Sequence, residues 1–251
     1  MRLRDRRVMG YEALARWEHP QLGLVSPGYF LPVAEESGLI VPLGQQVLEH
    51  VCRLVRAHPG LPGPISVNVS AVQLSARDWV GGFLATLEQF GVDPHQIVVE
   101  VTETAVLSQL DGTRRDLFRL RALGVGVHVD DFGTGFSSIS LLRDLPVTGL
   151  KLDHSFVHDL TTADSHPNAL AAGVAGLVEG LHLRGIAEGV ETVEQLATLI
   201  EQGWECGQRY LFGRPAPLTP AAASRRRSRP CWQSGPVSLD IAGDTCPGVR
   251  S

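Results

Sequence analysis

Short apolar runs, most of them rich in β-branched residues, punctuate this chain at intervals, and nearly every one is followed by a stretch with helical periodicity. The runs are 7–17 (RVMGYEALARW), 65–70 (ISVNVS), 97–103 (IVVEVTE), 125–131 (VGVHVDD), 148–153 (TGLKLD), 184–190 (RGIAEGV) and 205–213 (ECGQRYLFG). Between and after them, 26–38, 42–58, 83–91, 113–124, 137–145, 168–183 and 192–203 read as helices. Pro27 behind Ser26 suits a first helical turn. Leu43, Val47, Val51 and Leu54 share one helical face, and Gly91 and Gly124 are stop signals. Alternation of this kind implies a largely parallel sheet covered by helices, because parallel neighbours need a crossover between them. A doubly wound open sheet and a barrel both satisfy it. A (β/α)8 barrel needs eight strands. Seven are legible, and the first starts within ten residues of the amino terminus, so any missing strand is expected ahead of Met1.

Polar residues stand within or at the end of each strand: Glu12, Asn68, Glu100 with Glu103, Asp130 with Asp131, Lys151, Glu188 with Glu191, and Gln208. In parallel α/β folds chemistry gathers at the carboxyl ends of the strands, and packing alone would have put Val or Leu there. The set is mostly oxygen, which suits Mg²⁺, Mn²⁺ or Ca²⁺ rather than a thiolate-type zinc site. The pair Asp130-Asp131 poses a problem. Strand side chains alternate between faces, so these two do not point into one interior as ordinary neighbours, and adjacent carboxylates repel. Two divalent ions sharing the pair would hold it together. Two-metal sites with ions ~3.5–4 Å apart are typical of phosphoester cleavage. Gly133 and Gly135 would let the following loop turn sharply.

Composition narrows the field further. A net charge of -5 argues against a general nucleic-acid binder and against DNA as a partner. No run approaches the ~20 apolar residues of a spanning helix; the nearest, 169–183, carries Glu179 and His182 and reads as a buried helix. Cys52, Cys206, Cys231 and Cys246 have no metal-ligand spacing and are expected as reduced thiols in a cytoplasmic protein. Residues 219–251, with RRRSRP and scattered Gly, Pro and Ser, are expected as a disordered tail behind a domain spanning 1–218. Asp131-Phe132-Gly133 matches a kinase metal triplet by coincidence, since no companion loops occur. His154 and His158 lie four apart on a surface helix without further ligands.

YEALARWEHPQLGLVSPGYFLPVAEESGLI, SVNVS, VEVTET, VDDFGTGFSS, LKLD, AEGVET and GQRYLFGRP resemble, in order and approximate spacing, the motifs of the EAL-domain family. The triplet that names it is Glu12-Ala13-Leu14 here, and the likeness runs over roughly residues 7–217. The resemblance implies an α/β fold, a modified TIM-like (β/α)8 barrel, here lacking its first strand. It implies hydrolysis of cyclic di-GMP to linear pGpG with Mg²⁺ or Mn²⁺ in a two-metal site. It places Glu12, Asn68, Glu100 and Asp130 on one metal, and Asp130, Asp131 and Glu188 on the second. Lys151 would lie near the attacking water, with Glu188 the candidate general base. Gln208 would complete the site, and Leu14 and Arg16 would touch substrate, Arg16 through a phosphate oxygen. Glu103 would hold the loop after Asp131, which in the family couples metal binding to dimerisation, so a homodimer is implied. Two departures stand out. The strand that precedes the EAL strand is not seen, so exposed sheet edges are expected. Arg209 stands where the family usually has Gly, where a long cation would crowd the guanine end or contact a phosphate. A non-catalytic cyclic di-GMP-binding module, or an inactive fragment of a larger regulator, is the alternative reading.

Overall fold

The structure, a computed structural model, describes residues 1–107, 110–134, 139–160, 166–213, 215 and 237–242. The strands are β1 (Tyr11–His19), β2 (Gly23–Val25), β3 (Ile65–Asn68), β4 (Ile97–Thr102), β5 (Gly126–Phe132), β6 (Gly149–Leu152), β7 (Arg184–Glu188), β8 (Cys206–Gln208) and β9 (Val237–Ala242). The helices are α1 (Pro27–Glu36), α2 (Ile40–Ala57), α3 (Ala71–Leu74), α4 (Trp79–Phe90), α5 (Glu103–Leu107), α6 (Leu110–Ala122), α7 (Ile139–Asp144), α8 (His154–His158), α9 (His166–Gly180) and α10 (Val193–Glu201). Strands β1, β3, β4, β5, β6, β7 and β8 pair in that order, every pair parallel. The sheet curls as a half-barrel.

Period two sorts each strand between two environments. In β4, Ile97, Val99 and Val101 are fully buried against the outer helices, while Val98 and Glu100 line the inner cavity. In β5 and β6, Val127, Val129, Leu150 and Leu152 pack outward, while His128, Asp130 and Lys151 line the cavity. The core is therefore the layer between sheet and helices. One part lies under α2, α4 and α6 and a second under α8, α9 and α10.

Several expectations need correction. The first strand begins at Tyr11, not residue 7. Ahead of it the chain turns, with Arg2 N–H bonded to Arg7 O at 2.8 Å and the Arg2 guanidinium paired to Asp5 at 2.6 Å. The last expected strand ends at Gln208, where a turn closes with Phe212 N–H on Arg209 O at 2.9 Å. β2 was not legible: three residues, two of them exposed, carry no alternation.

The expected bare edges are both covered. At β8, Met1 O accepts from Gly207 N–H at 2.8 Å, Leu3 N–H donates to Glu205 O at 2.9 Å, and Arg2 bridges antiparallel to Cys206. At β1, β9 runs antiparallel from Glu12↔Ala242 to Trp17↔Val237. Trp17 also pairs with Val25, so β9 and β2 lie on opposite flanks of β1. Residues 237–242 thus form a strand inside the segment expected to be structureless. Their sequence, VSLDIA, alternates apolar and polar positions over its first five residues, which suits a sheet edge. The rest of that segment, with Cys231 and Cys246, lies outside the described residues, as do 135–138 at the head of the helix expected over 137–145.

Deleting residues 219–251 is expected to speed hydrogen exchange at the β1 amides between Glu12 and Trp17, because their antiparallel partner is gone. Exchange rates there equal to those of the full chain would show that β9 gives β1 no protection.

Candidate active site

The inner faces of the strands converge on one cavity of about 400 Å³. Glu12, Leu14 and Arg16 reach it from β1, two residues apart and hence on one face. Glu100, His128, Asp130, Lys151, Glu188 and Gln208 line it from β4 to β8, and Arg209 and Tyr210 lie at its edge on the β8 side.

Lys151 is the hub. It is 1% exposed, and its Nζ lies 2.7 Å from Glu188 Oε1, 2.8 Å from Glu100 Oε2, 3.1 Å from Asp130 Oδ2 and 3.6 Å from Glu12 Oε2. A lone buried ammonium would be far too costly to keep charged; four carboxylates around it reverse that. Glu12 is fixed from both sides. Asn68 Nδ2 donates to its Oε1 at 2.7 Å, and Gln208 Nε2 donates to its Oε2.

The double aspartate is resolved by the backbone. Register between β5 and β6 shifts between Val129 and Phe132, and Asp131 adopts φ 53°, in the left-handed region. Such a bulge re-aims a side chain, so the alternation that would separate the two carboxylates is broken. Asp131 N–H donates to Asp130 Oδ1 at 2.9 Å, and Thr134 Oγ1 donates to Asp131 O at 2.9 Å.

Carboxylate oxygens of Glu12, Glu100 and Asp130 lie within 4.8 Å of one another, and so do those of Asp130, Asp131 and Glu188. Asp130 belongs to both groups. Hard oxygen donors arranged in two sets with one shared carboxylate fit a pair of divalent cations of the Mg²⁺ type. Among the described residues no other His, Cys, Asp or Glu group is so arranged, and His154 and His158 take no part in one.

The same crowding sets the protonation. Burial pushes Asp130 up, to about 8, against the pull of Lys151, with Glu188, Glu100 and Glu12 adding to the rise. Burial also raises Glu12. For Glu100 burial again works upward and is the largest single influence, but the charge and hydrogen bond of Lys151 together with the neighbouring His128 outweigh it and hold the carboxyl low, at about 2. Burial works against the charge of Lys151, and the surrounding carboxylates overcome it, raising its pKa.

The structure brings Glu12, Asn68, Glu100, Asp130, Asp131, Lys151, Glu188 and Gln208 into one cluster. Leu14 and Arg16 line the cavity, with Arg16 Nη1 donating to Ala15 O at 2.9 Å. Glu103 heads α5 and is buried; the loop it is expected to hold lies over 135–138, outside the described residues. One residue escaped the sequence reading. His128, buried beside Glu100 in strand register, puts Nδ1 3.8 Å from Glu100 Oε1 and has no hydrogen bond there. Its ring occupies space that Gly149 leaves open: a Cβ on Gly149 would stand 2.5 Å from His128 Cδ2. Its place two residues before Asp130 on one strand face was the available signal.

The sequence profile of the EAL domain matches residues 1–215. The chain belongs to the EAL-domain family. Two curated proteins of Pseudomonas aeruginosa are similar to this EAL domain. The bifunctional diguanylate cyclase/cyclic di-GMP phosphodiesterase MucR is 40% identical over 222 residues, 86% of this chain and 32% of that protein. The cyclic di-GMP phosphodiesterase NbdA is 42% identical over 221 residues, 86% of this chain and 28% of that one. This chain thus spans about a third of the length of those relatives or less. Among solved structures, the MucR phosphodiesterase in complex with c-di-GMP matches at TM-score 0.79 and 40% identity, covering 84% of this chain and 86% of that one. The EAL domain of FimX from Pseudomonas aeruginosa bound to c-di-GMP matches at TM-score 0.77 and 25% identity, covering 84% and 86%. The match to these barrels bears out the expected fold class.

Two outcomes follow from the geometry. Gly149→Ala should destabilise the domain by about 1–3 kcal/mol through overpacking, and His128→Ala in the same chain should return part of that loss; additive effects in urea denaturation would show that the two sites do not touch. Asp130, with a pKa of about 8, carries a proton near neutrality in the metal-free site, so a cation must displace it. Mn²⁺ affinity should therefore rise with pH up to about 8 and level off above it. The binding heat at pH 7 should vary with the ionisation enthalpy of the buffer; buffer-independent heat would mean that no proton leaves.

Proposed function

We propose that this EAL domain hydrolyses cyclic di-GMP to linear pGpG with two Mg²⁺ or Mn²⁺ ions. The observation that carries the reading is the pair of carboxylate groups sharing Asp130. Glu12, Asn68, Glu100 and Asp130 would hold one ion, and Asp130, Asp131 and Glu188 the other. Bound there, the ions supply Lewis acidity that neutralises phosphoryl oxygens and acidifies a water.

The protein's own groups do the rest. Asn68 and Gln208 fix both oxygens of Glu12, so its carboxylate is oriented before any ligand arrives. Lys151, 2.7 Å from Glu188, orients that carboxylate and brings positive charge to the place where phosphoryl charge develops. Glu188 takes the proton of the attacking water. Arg16 offers forked donors to a phosphate oxygen, and Leu14 packs against the substrate. The reading includes a homodimer coupled to the site through Glu103, which is buried at the head of α5. It also places the domain in the cytoplasm, a reducing compartment in which the buried free thiols Cys52 and Cys206 stay reduced. Among the described residues no helix is long and apolar enough to cross a membrane.

Incubation with cyclic di-GMP and Mg²⁺ or Mn²⁺, with products resolved by chromatography, should yield pGpG that disappears on adding EDTA. Equal product in both arms would sink the metal mechanism, and binding without product would leave a dinucleotide-binding module. Glu12→Ala should lower turnover by about 100-fold or more through metal affinity, with an unchanged circular dichroism spectrum. Wild-type turnover in that variant would remove Glu12 from the site.

A further inference from the structure

Arg209 is held at φ 126°, a backbone conformation that glycine adopts freely and a long side chain does not. The turn around it imposes this. Gln208 O accepts from Gly189 N–H at 3.1 Å and Val190 N–H at 3.2 Å, while Arg209 O accepts from Phe212 N–H at 2.9 Å. The contacts that Arg209 makes do little to offset the strain. Its Nε lies 3.9 Å from Glu191 Oε1, with both side chains about two-fifths exposed, the kind of surface pair that adds little. Its guanidinium stands 5.6 Å from the ring of the adjacent Tyr210. Strain that local contacts do not repay is a feature of functional positions.

The strained residue lines the cavity. Its Nη1 lies against Gly189, next to Glu188, close enough that a Cβ on Gly189 would be 3.5 Å away. The cavity floor is strongly acidic, and Lys151 is already engaged by Glu12, Glu100, Asp130 and Glu188. A dianionic cyclic dinucleotide has two phosphates on opposite sides of its ring. If one sits deep among the carboxylates and their cations, the other faces outward toward the edge of the cavity. Arg16 borders the cavity on the β1 side and Arg209 on the β8 side.

We propose that Arg209 is a substrate-binding residue whose guanidinium takes an oxygen of the phosphate that is not cleaved. A planar fork of donors matches a phosphate and a guanine edge alike; the exposed position and the acidic floor favour the phosphate. The inference rests on the phosphodiesterase reading of the same site, and its test separates the two.

The test compares the wild type with Arg209→Gly, Arg209→Lys and Arg209→Gln in steady-state hydrolysis of cyclic di-GMP at two salt concentrations, with melting temperatures measured alongside. Arg209→Gly should raise KM about tenfold, the loss expected for one charge-assisted hydrogen bond. It should lower kcat much less, weaken the salt dependence of KM, and raise the melting temperature as the strain is released. Arg209→Lys should recover part of the KM, and Arg209→Gln none. A more stable Arg209→Gly variant with wild-type KM and salt dependence would overturn the proposal, leaving Arg209 as a tolerated side chain. Full recovery by Gln would move the contact to the guanine edge and overturn the phosphate assignment. A wild type that neither binds nor hydrolyses cyclic di-GMP overturns the phosphodiesterase reading, and this inference with it.

Discussion

One buried ammonium among four carboxylates governs the inside of this half-barrel. Lys151 and its partners come from β1, β4, β5, β6 and β7, so the ion cluster ties together strands far apart in the chain. Neither component would survive alone in so dry a place. The carboxylates would repel or take up protons, and the lysine would lose its charge. A cluster of this kind adds little to net stability. What it contributes is position: acidic groups held close together around one ammonium before a cation arrives. Without Lys151, that preorganisation would have to wait for the metal.

Much of this was legible in the sequence, and the reasons are local. The parallel strands follow from β-branched runs separated by amphipathic helices, and the strand positions of Glu100, Asp130, Lys151 and Glu188 then bring them to one rim. The cluster of polar residues at strand positions where packing would choose Val or Leu was the strongest signal. What the sequence obscured was three-dimensional. Alternation argued that Asp130 and Asp131 diverge, and only the bulge with Asp131 in the left-handed region brings both to one site. His128 looked like a strand residue because nothing in its neighbourhood announces that Gly149 makes room for its ring. β9 was hidden by its surroundings: six residues, the first five alternating, inside a stretch of Arg, Ser, Gly and Pro.

Two of the backbone exceptions stand beside the candidate site. Asp131 at φ 53° and Arg209 at φ 126° lie at the ends of strands whose side chains touch the same cavity. The first aims a carboxylate that regular β structure would turn away. The second sets a cation at the edge of the cavity. The regular parts of β5 and β8 supply rigidity, and their irregular ends supply direction.

The pairing of β1 with β9 has a consequence for how the chain is built. Glu12 meets Ala242 and Trp17 meets Val237, so this edge closes only after more than 200 further residues have left the ribosome. Contacts of such separation form slowly, since the closure entropy is spent before they yield anything. β1 is thus made first and completed last. Until then its flank is open to whatever strand is near, which makes the interval of synthesis, rather than the finished domain, the time at which this protein is most exposed to misassociation.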